Sequence, residues 1–261
     1  MRLIFFVLTT GSYFFCRAQD LSLYEKHYFN VPELNLPYRL LRPLHAEGEN
    51  KYPLVIFLHG AFERGFDNER QLNIGGRFFL RDSVRQHYPS YILFPQCPEG
   101  DVGTYFEATA DPSSGKTMRI DFPFQKKPTE VTSALMMLLD SLMNNERIDQ
   151  HRIYIAGLSQ GGMGVLDLLA RYPGLFAAGI AICGGGNVAG SRNFAGKSAL
   201  WLFHGAADDV IPVDFSRSYF KKLRKLGADV RYTEYPNVQH NSWINAFNEP
   251  EFLHWLFSKN K

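Results

Sequence analysis

The residues in this 261-residue sequence best suited to covalent chemistry fall in three short segments far apart along the chain. The first is Gly157-Leu158-Ser159-Gln160-Gly161, a serine bracketed by glycines. A β-branched and aromatic run ending at Ala156 precedes it, and Val165, Leu166, Leu168 and Leu169 follow at helical spacing. Strand, sharp turn and helix form the context in which a G-x-S-x-G pentad exposes its serine hydroxyl above a sheet. The pentad alone says little, because any glycine-rich strand-to-helix turn shares its composition. A serine nucleophile also needs a base, a carboxylate that orients the base, and N–H donors for a developing oxyanion. The second segment, Trp201 to Pro212, sets Asp208 and Asp209 just beyond an apolar strand, and the third, Tyr235 to Trp243, sets His240 beyond the last strand.

Three loops so far apart in sequence can meet only if one scaffold brings them to the same edge. Strands alternate with helical patterns, which implies a mainly parallel sheet of about eight strands with helices on both faces. In such sheets functional groups gather at the carboxyl ends of the strands. Residues 24 to 42 read as an edge hairpin, with strands near Tyr24 to Phe29 and Tyr38 to Leu41 and with Pro32 and Pro37 between them. Pro53 to Leu58 is an unbroken apolar run, as a strand covered on both faces requires, and it leads into His59-Gly60-Ala61. Residues 67 to 88 are mostly helical with a break at Gly75-Gly76, and Tyr91 to Phe94 form another strand. Residues 95 to 128 have no clear period, and the Pro, Gly, Asp and Ser content of residues 95 to 115 marks a long loop, a length usually tied to function. Thr129 can cap a helix that ends near Asn144-Asn145. Later strands are expected at Leu175 to Cys183, Ala199 to Phe203 and Val230 to Tyr235, with helices at Val213 to Leu226, stopped by Gly227, and at Pro250 to Phe257.

Composition supports one globular unit, since 45% hydrophobic and 21% charged residues leave no disorder or fibre signal. Arg2, an apolar stretch from Leu3 to Leu8 and a small residue at Ala18 read as a secretory signal cut between Ala18 and Gln19. An N-terminal anchor and lipid attachment at Cys16 are the competing readings, the latter disfavoured by the bulky Phe15. The expected mature chain is therefore residues 19–261, a single domain that is secreted or periplasmic, without stable membrane insertion. Losing Arg2 and Arg17 turns 28 basic residues into 26 against 26 acidic ones, so nucleic acid is not an expected partner. Cys97 and Cys183 each follow a strand, and if these are the fourth and sixth strands of the sheet about three strand spacings separate them, which favours two unpaired cysteines over a bridge closed by a long loop.

The order Ser159, Asp208, His240 is that of α/β-hydrolases, and the chain resembles that superfamily from about Leu36 to its C-terminus. In particular it is similar to secreted bacterial esterases described as phospholipase/carboxylesterase, predicted peptidase or feruloyl-esterase-like. The resemblance is carried by Leu58-His59-Gly60-Ala61 with Glu63-Arg64-Gly65, Pro95-Gln96-Cys97-Pro98, Gly157 to Gly162, His204-Gly205 followed by Asp208, and His240-Asn241-Ser242-Trp243. It implies the α/β-hydrolase fold and an acyl-enzyme mechanism without a cofactor. Ser159 would be the nucleophile, His240 the base and Asp208, rather than Asp209, the acid. The backbone N–H groups of Ala61 and Gln160 would form the oxyanion hole. Phe62 departs from the pattern, standing where relatives carry a small residue, and Tyr105-Phe106 stand where tryptophan would be looked for.

Each of these residues also has a plainer reading. His204 at a strand end suits a loop-fixing hydrogen bond, and His254, among apolar neighbours on a helix, suits a satisfied core histidine. Glu63 and Arg64 suit an ion pair that stiffens the oxyanion loop. Trp243, Tyr105 and Phe106 suit packing as well as a sugar or aryl subsite. The eight histidines show no metal-binding spacing. The expected substrate is a small-molecule or polysaccharide-linked carboxylic ester, with acetyl or hydroxycinnamoyl (feruloyl) esters as candidates and a monomer as the favoured state. A peptidase with the same triad and a catalytically silent carbohydrate-binding relative are the alternatives.

Overall fold

In chain order the strands are β1 (Glu25–Val31), β2 (Leu34–Leu41), β3 (Tyr52–Leu58), β4 (Tyr91–Pro95), β5 (Glu107–Ala110), β6 (Met118–Asp121), β7 (Ile148–Leu158), β8 (Ala178–Ile182), β9 (Ala199–Gly205) and β10 (Val230–Tyr235). The helices are α1 (Gly76–Phe79), α2 (Asp82–His87), α3 (Glu130–Asn145), α4 (Gln160–Arg171), α5 (Ser191–Phe194), α6 (Asp214–Lys225), α7 (Trp243–Ala246) and α8 (Phe252–Phe257). They are taken from a computed structural model that describes residues 20–32, 34–46, 48–110 and 118–261. The N-terminal segment read as a secretory signal lies outside the described residues. Among the described residues no helix is long and apolar enough to cross a membrane.

Eight strands form one sheet in the order β1-β2-β4-β3-β7-β8-β9-β10. The β1–β2 and β2–β4 pairs are antiparallel and every other pair is parallel. This is the α/β-hydrolase architecture that the motifs imply. Side chains alternate across the sheet, as the two-residue period of a strand requires. Tyr154, Ala156 and Leu158 of β7 enter one core, shared with Phe78, Phe79, Phe252 and Trp255 of α1 and α8. Ile153 and Ile155 enter the other, shared with Leu135, Leu138 and Leu139 of α3, Leu168 and Leu169 of α4, and Leu223 of α6. The central strands are buried on both faces, so they are written as continuous apolar runs.

Thr129 caps α3, its side chain accepting from the Thr132 N–H, and Gly227 ends the last turn after α6 at φ +69°. Two expectations need correction. Pro37 lies inside β2 opposite Tyr28 and does not separate two strands. Its carbonyl accepts from the Gln96 N–H at 2.8 Å, so the residue still contributes to pairing despite lacking a donor. The long segment 95–128 is not all loop. It carries an antiparallel hairpin of β5 and β6, in which Glu107 faces Asp121 and Ala108 faces Ile120. Cys97 and Cys183 follow β4 and β8, three strand positions apart, and both are free thiols.

Candidate active site

Ser159 sits at φ +53°, ψ −117°, between the end of β7 and the start of α4. A non-glycine residue there costs on the order of 1–3 kcal/mol and persists only when its surroundings enforce it. The Ser159 N–H donates to the Ile182 carbonyl at 2.8 Å, and its own carbonyl accepts from the Met163 N–H at 3.0 Å. The flanking glycines are a requirement of space. A Cβ on Gly161 would lie 2.0 Å from the Leu58 carbonyl oxygen, and one on Gly157 would lie 2.5 Å from the Gly161 oxygen. The end of β3 therefore presses directly on the turn that presents the serine.

The structure brings His240 and Asp208 to that serine. The Nε2 atom of His240 is 2.8 Å from Ser159 Oγ, and its Nδ1 is 2.8 Å and 3.0 Å from the two carboxylate oxygens of Asp208. With the Nδ1 hydrogen on Asp208, Nε2 is left as the acceptor facing the hydroxyl, the protonation pattern of a general base. The two loops are locked together by backbone. The N–H groups of Ala206 and Ala207 donate to the carbonyls of Tyr235 and Val238, at 2.9 Å and 3.0 Å. Gly205 is needed because a Cβ there would lie 2.2 Å from the Val238 oxygen. The Asp208 side chain is fully covered, while Asp209 is exposed to solvent. Burial pushes the Asp208 carboxyl upward. Hydrogen bonds from His204 and His240 and from the Ile211 N–H outweigh it, holding the group well below the usual carboxylate range. Asp208 is thus an anion at any working pH.

Ala61 and Gln160, the expected oxyanion donors, stand at two helix starts. Ala61 opens a short 3₁₀ turn, Ala61–Glu63, and Gln160 opens α4. The first N–H of a helix has no partner within it, so each start leaves a donor for an anion. A Cβ built on Gly60 would lie 3.9 Å from the Ser159 Cβ, so the Gly60-Ala61 backbone runs beside the nucleophile. His59 fixes this backbone. Its Nδ1–H donates to the Gly60 carbonyl at 2.6 Å, and its Nε2 accepts from the Cys97 N–H at 2.9 Å. Burial pushes its pKa down to about 4, so the imidazole stays neutral near pH 7. The Gln160 side chain turns away into a small apolar cavity of about 50 Å³, its amide 3.7 Å from Cys97 Sγ.

Other expectations fare differently. Glu63 and Arg64 do not form an ion pair among the described residues. Arg64 donates to the carbonyls of Ala61 and Glu99, at 3.0 Å and 3.1 Å, while the Glu63 side chain is buried and its N–H donates to the Gly60 carbonyl at 3.3 Å. His254 is exposed on α8 and is no core histidine. Phe106 packs with Phe122 against Ile120, Met163 and Ile211, which seats the hairpin on the nucleophile helix and the acid loop. Trp243 presents its edge to the His240 ring at 6.0 Å and joins the core cluster. Phe62 is 93% exposed on the Ala61–Glu63 turn. Sequence reasoning missed Cys183, whose backbone is at φ +41° and whose sulfur lies within 4.8 Å of the polar atoms of both Asp208 and His240. Burial raises this thiol to about 12, so it is neutral beside the carboxylate. Its position immediately after β8 was the available signal.

The phospholipase/carboxylesterase family matches residues 44–252. A thermostable esterase of known crystal structure is 34% identical and superposes with a TM-score of 0.82, covering 92% of this chain and 64% of its own. A probable carboxylesterase of Oryza sativa subsp. japonica is 24% identical over 201 residues, 72% of this chain and 81% of the relative. A bifunctional acetylxylan esterase/xylanase of Neocallimastix patriciarum is 29% identical over 117 residues, 43% of this chain and 17% of that longer protein. The chain thus spans less than two thirds of both the thermostable esterase and the bifunctional enzyme.

Proposed function

Because the chain belongs to the phospholipase/carboxylesterase family of α/β-hydrolases, we propose that it is a serine esterase that cleaves carboxylic esters through an acyl-enzyme. The observation that carries this reading is the single imidazole of His240 spanning Ser159 and Asp208 at 2.8 Å on each side. Ser159 Oγ attacks the ester carbonyl as His240 Nε2 takes its proton. Asp208 stabilises the imidazolium that forms, and the N–H groups of Ala61 and Gln160 receive the oxyanion. His240 then returns the proton to the departing alcohol, and water activated by the same base releases the acid.

On the substrate, acetyl or feruloyl esters carried by a polysaccharide are the favoured class. The bifunctional acetylxylan esterase/xylanase supports the polysaccharide part by its name. The aromatic part is supported by large apolar side chains exposed after three catalytic segments: Phe62 and Phe66 beyond Ala61, Val210 beyond Asp208, and Ile244 beyond His240. The enzyme acts outside the cytoplasm, after removal of residues 1–18, in this reading. Hydrolysis of p-nitrophenyl acetate, ethyl ferulate and an aminoacyl-anilide by purified protein tests it. Esters should be cleaved well ahead of the anilide, and Ser159→Ala should lower kcat by roughly 10⁴-fold or more. Faster anilide cleavage would favour a peptidase, and activity surviving Ser159→Ala would remove the mechanism.

A further inference from the structure

Asp208 has a second histidine on the side away from His240. His204, near the end of β9, is completely buried, and its Nε2 lies 3.2 Å from Asp208 Oδ2 and 3.0 Å from the Ile211 carbonyl oxygen. Its Nδ1 lies 2.8 Å from the hydroxyl of Ser216, itself buried on α6. A carbonyl can only accept, so Nε2 carries a hydrogen, and in the neutral ring Nδ1 accepts from the Ser216 O–H. Ile211 is held at both ends. Its carbonyl receives the His204 N–H, while its own N–H donates to Asp208 Oδ1 at 2.9 Å. The imidazole thereby closes the 208–211 loop and lays its N–H edge against the carboxylate.

We propose that His204 is a positioning residue for the reaction, acting through Asp208 and completing a line of close polar contacts that runs from Ser216 on α6 through His204, Asp208 and His240 to Ser159. The proposal rests on the serine-esterase reading and adds to it a residue that touches neither substrate nor nucleophile. Loop closure alone needs no such edge, because the N–H groups of Val210 and Ile211 already bind Asp208 Oδ1, at 3.0 Å and 2.9 Å. What His204 adds is a partial positive charge on the other oxygen. Asp208 therefore divides its charge between two imidazoles, and the share left to His240 sets how firmly the imidazolium is held.

The charged and titratable neighbours leave this division to the histidines. Glu234 on β10, opposite His204 in the parallel ladder, is engaged by Arg217 at 2.7 Å and 3.0 Å and by the Tyr232 hydroxyl. The Cys183 thiol beside Asp208 and His240 is kept neutral by burial. Removing the His204 N–H leaves more of the carboxylate charge for protonated His240, so the free base appears only at higher pH.

The test is the pH profile of kcat/KM on p-nitrophenyl acetate for the wild type, His204→Gln and His204→Phe, with fluorophosphonate labelling of Ser159 measured in each. His204→Phe should lower kcat about tenfold or more with KM within about twofold, and should move the acid limb upward by about half a pH unit or more. His204→Gln, whose amide N–H can reach the same acceptors, should lie closer to the wild type in both respects. An unmoved acid limb in a folded, labelled His204→Phe protein, or a change in KM alone, overturns the proposal. Should that variant not fold, Ser216→Ala decides. Without the O–H bond into Nδ1 the ring is a weaker Nε2–H donor, and the limb should shift the same way by less, while an unmoved limb there also overturns it. Absence of labelling in the wild type would instead sink the esterase reading beneath the proposal.

Discussion

At the scale of single residues, the Gly60-Ala61 backbone is clamped by His59, which bonds the Gly60 carbonyl and the Cys97 N–H. His59 is held neutral by burial, with its pKa near 4 in the folded chain against about 6.5 when exposed. A depressed histidine favours folding fully only above its unfolded pKa. Below that, the unfolded chain binds a proton that the native one refuses, and the contribution is lost as pH falls toward 4. The loss is on the order of 3 kcal/mol. Thermal midpoints at pH 7.5 and pH 4.5 should therefore drop steeply in the wild type and less in His59→Gln, and parallel drops would show that His59 is not responsible. Ser159, Asp208 and His240 were readable in the sequence because each stands in the segment that follows a strand, where chain position translates into place on the sheet edge. His59 as a clamp was not readable, since its second partner, the Cys97 N–H, comes from another strand. Glu63 and Arg64 misled for the opposite reason. They are adjacent in sequence, yet Arg64 reaches out to backbone carbonyls while Glu63 is buried.

At the scale of elements, the elbow is fixed by contact between β3 and the first turn of α4, and that contact is measurable. Gly161→Ala places a methyl 2.0 Å from the Leu58 oxygen, where backbone must move to admit it. The expected cost is about 3 kcal/mol or more, or a fall in Tm of roughly 6–12 °C. Gly100→Ala, with nothing within 4 Å of its new Cβ, should stay within about 0.5 kcal/mol of the wild type. Equal effects from the two would contradict the close-packed elbow. The parallel strands were legible because burial on both faces forces continuous apolar sequence. The β5–β6 hairpin was not, because its strands are only four residues each, too short for a period to show. What seats it is tertiary, the packing of Ile120 against Met163 and Ile211.

At the scale of the whole molecule, every functional group sits on the carboxyl edge of one sheet, and the apolar residues left uncovered there point to what comes next. Phe62 is almost wholly exposed beside the oxyanion loop. Covering a phenyl ring is worth on the order of 1.5–3 kcal/mol, so Phe62→Ala should raise KM for ethyl ferulate by roughly tenfold or more while changing that for p-nitrophenyl acetate by less than about twofold. Equal changes for both esters would place Phe62 outside substrate contact. Sequence could mark Phe62 as unusual but not say which way it faces, because a three-residue turn has no periodicity from which to read a face. The central claim is that Ser159 carries the acyl group, and intact-protein mass spectrometry of the acid-quenched enzyme during turnover of an ester tests it most directly. The account predicts an adduct equal in mass to the acyl group, mapped by peptide digestion to Ser159 and lost in Ser159→Ala. An adduct on any other residue, or steady turnover by the Ser159→Ala enzyme, would contradict it.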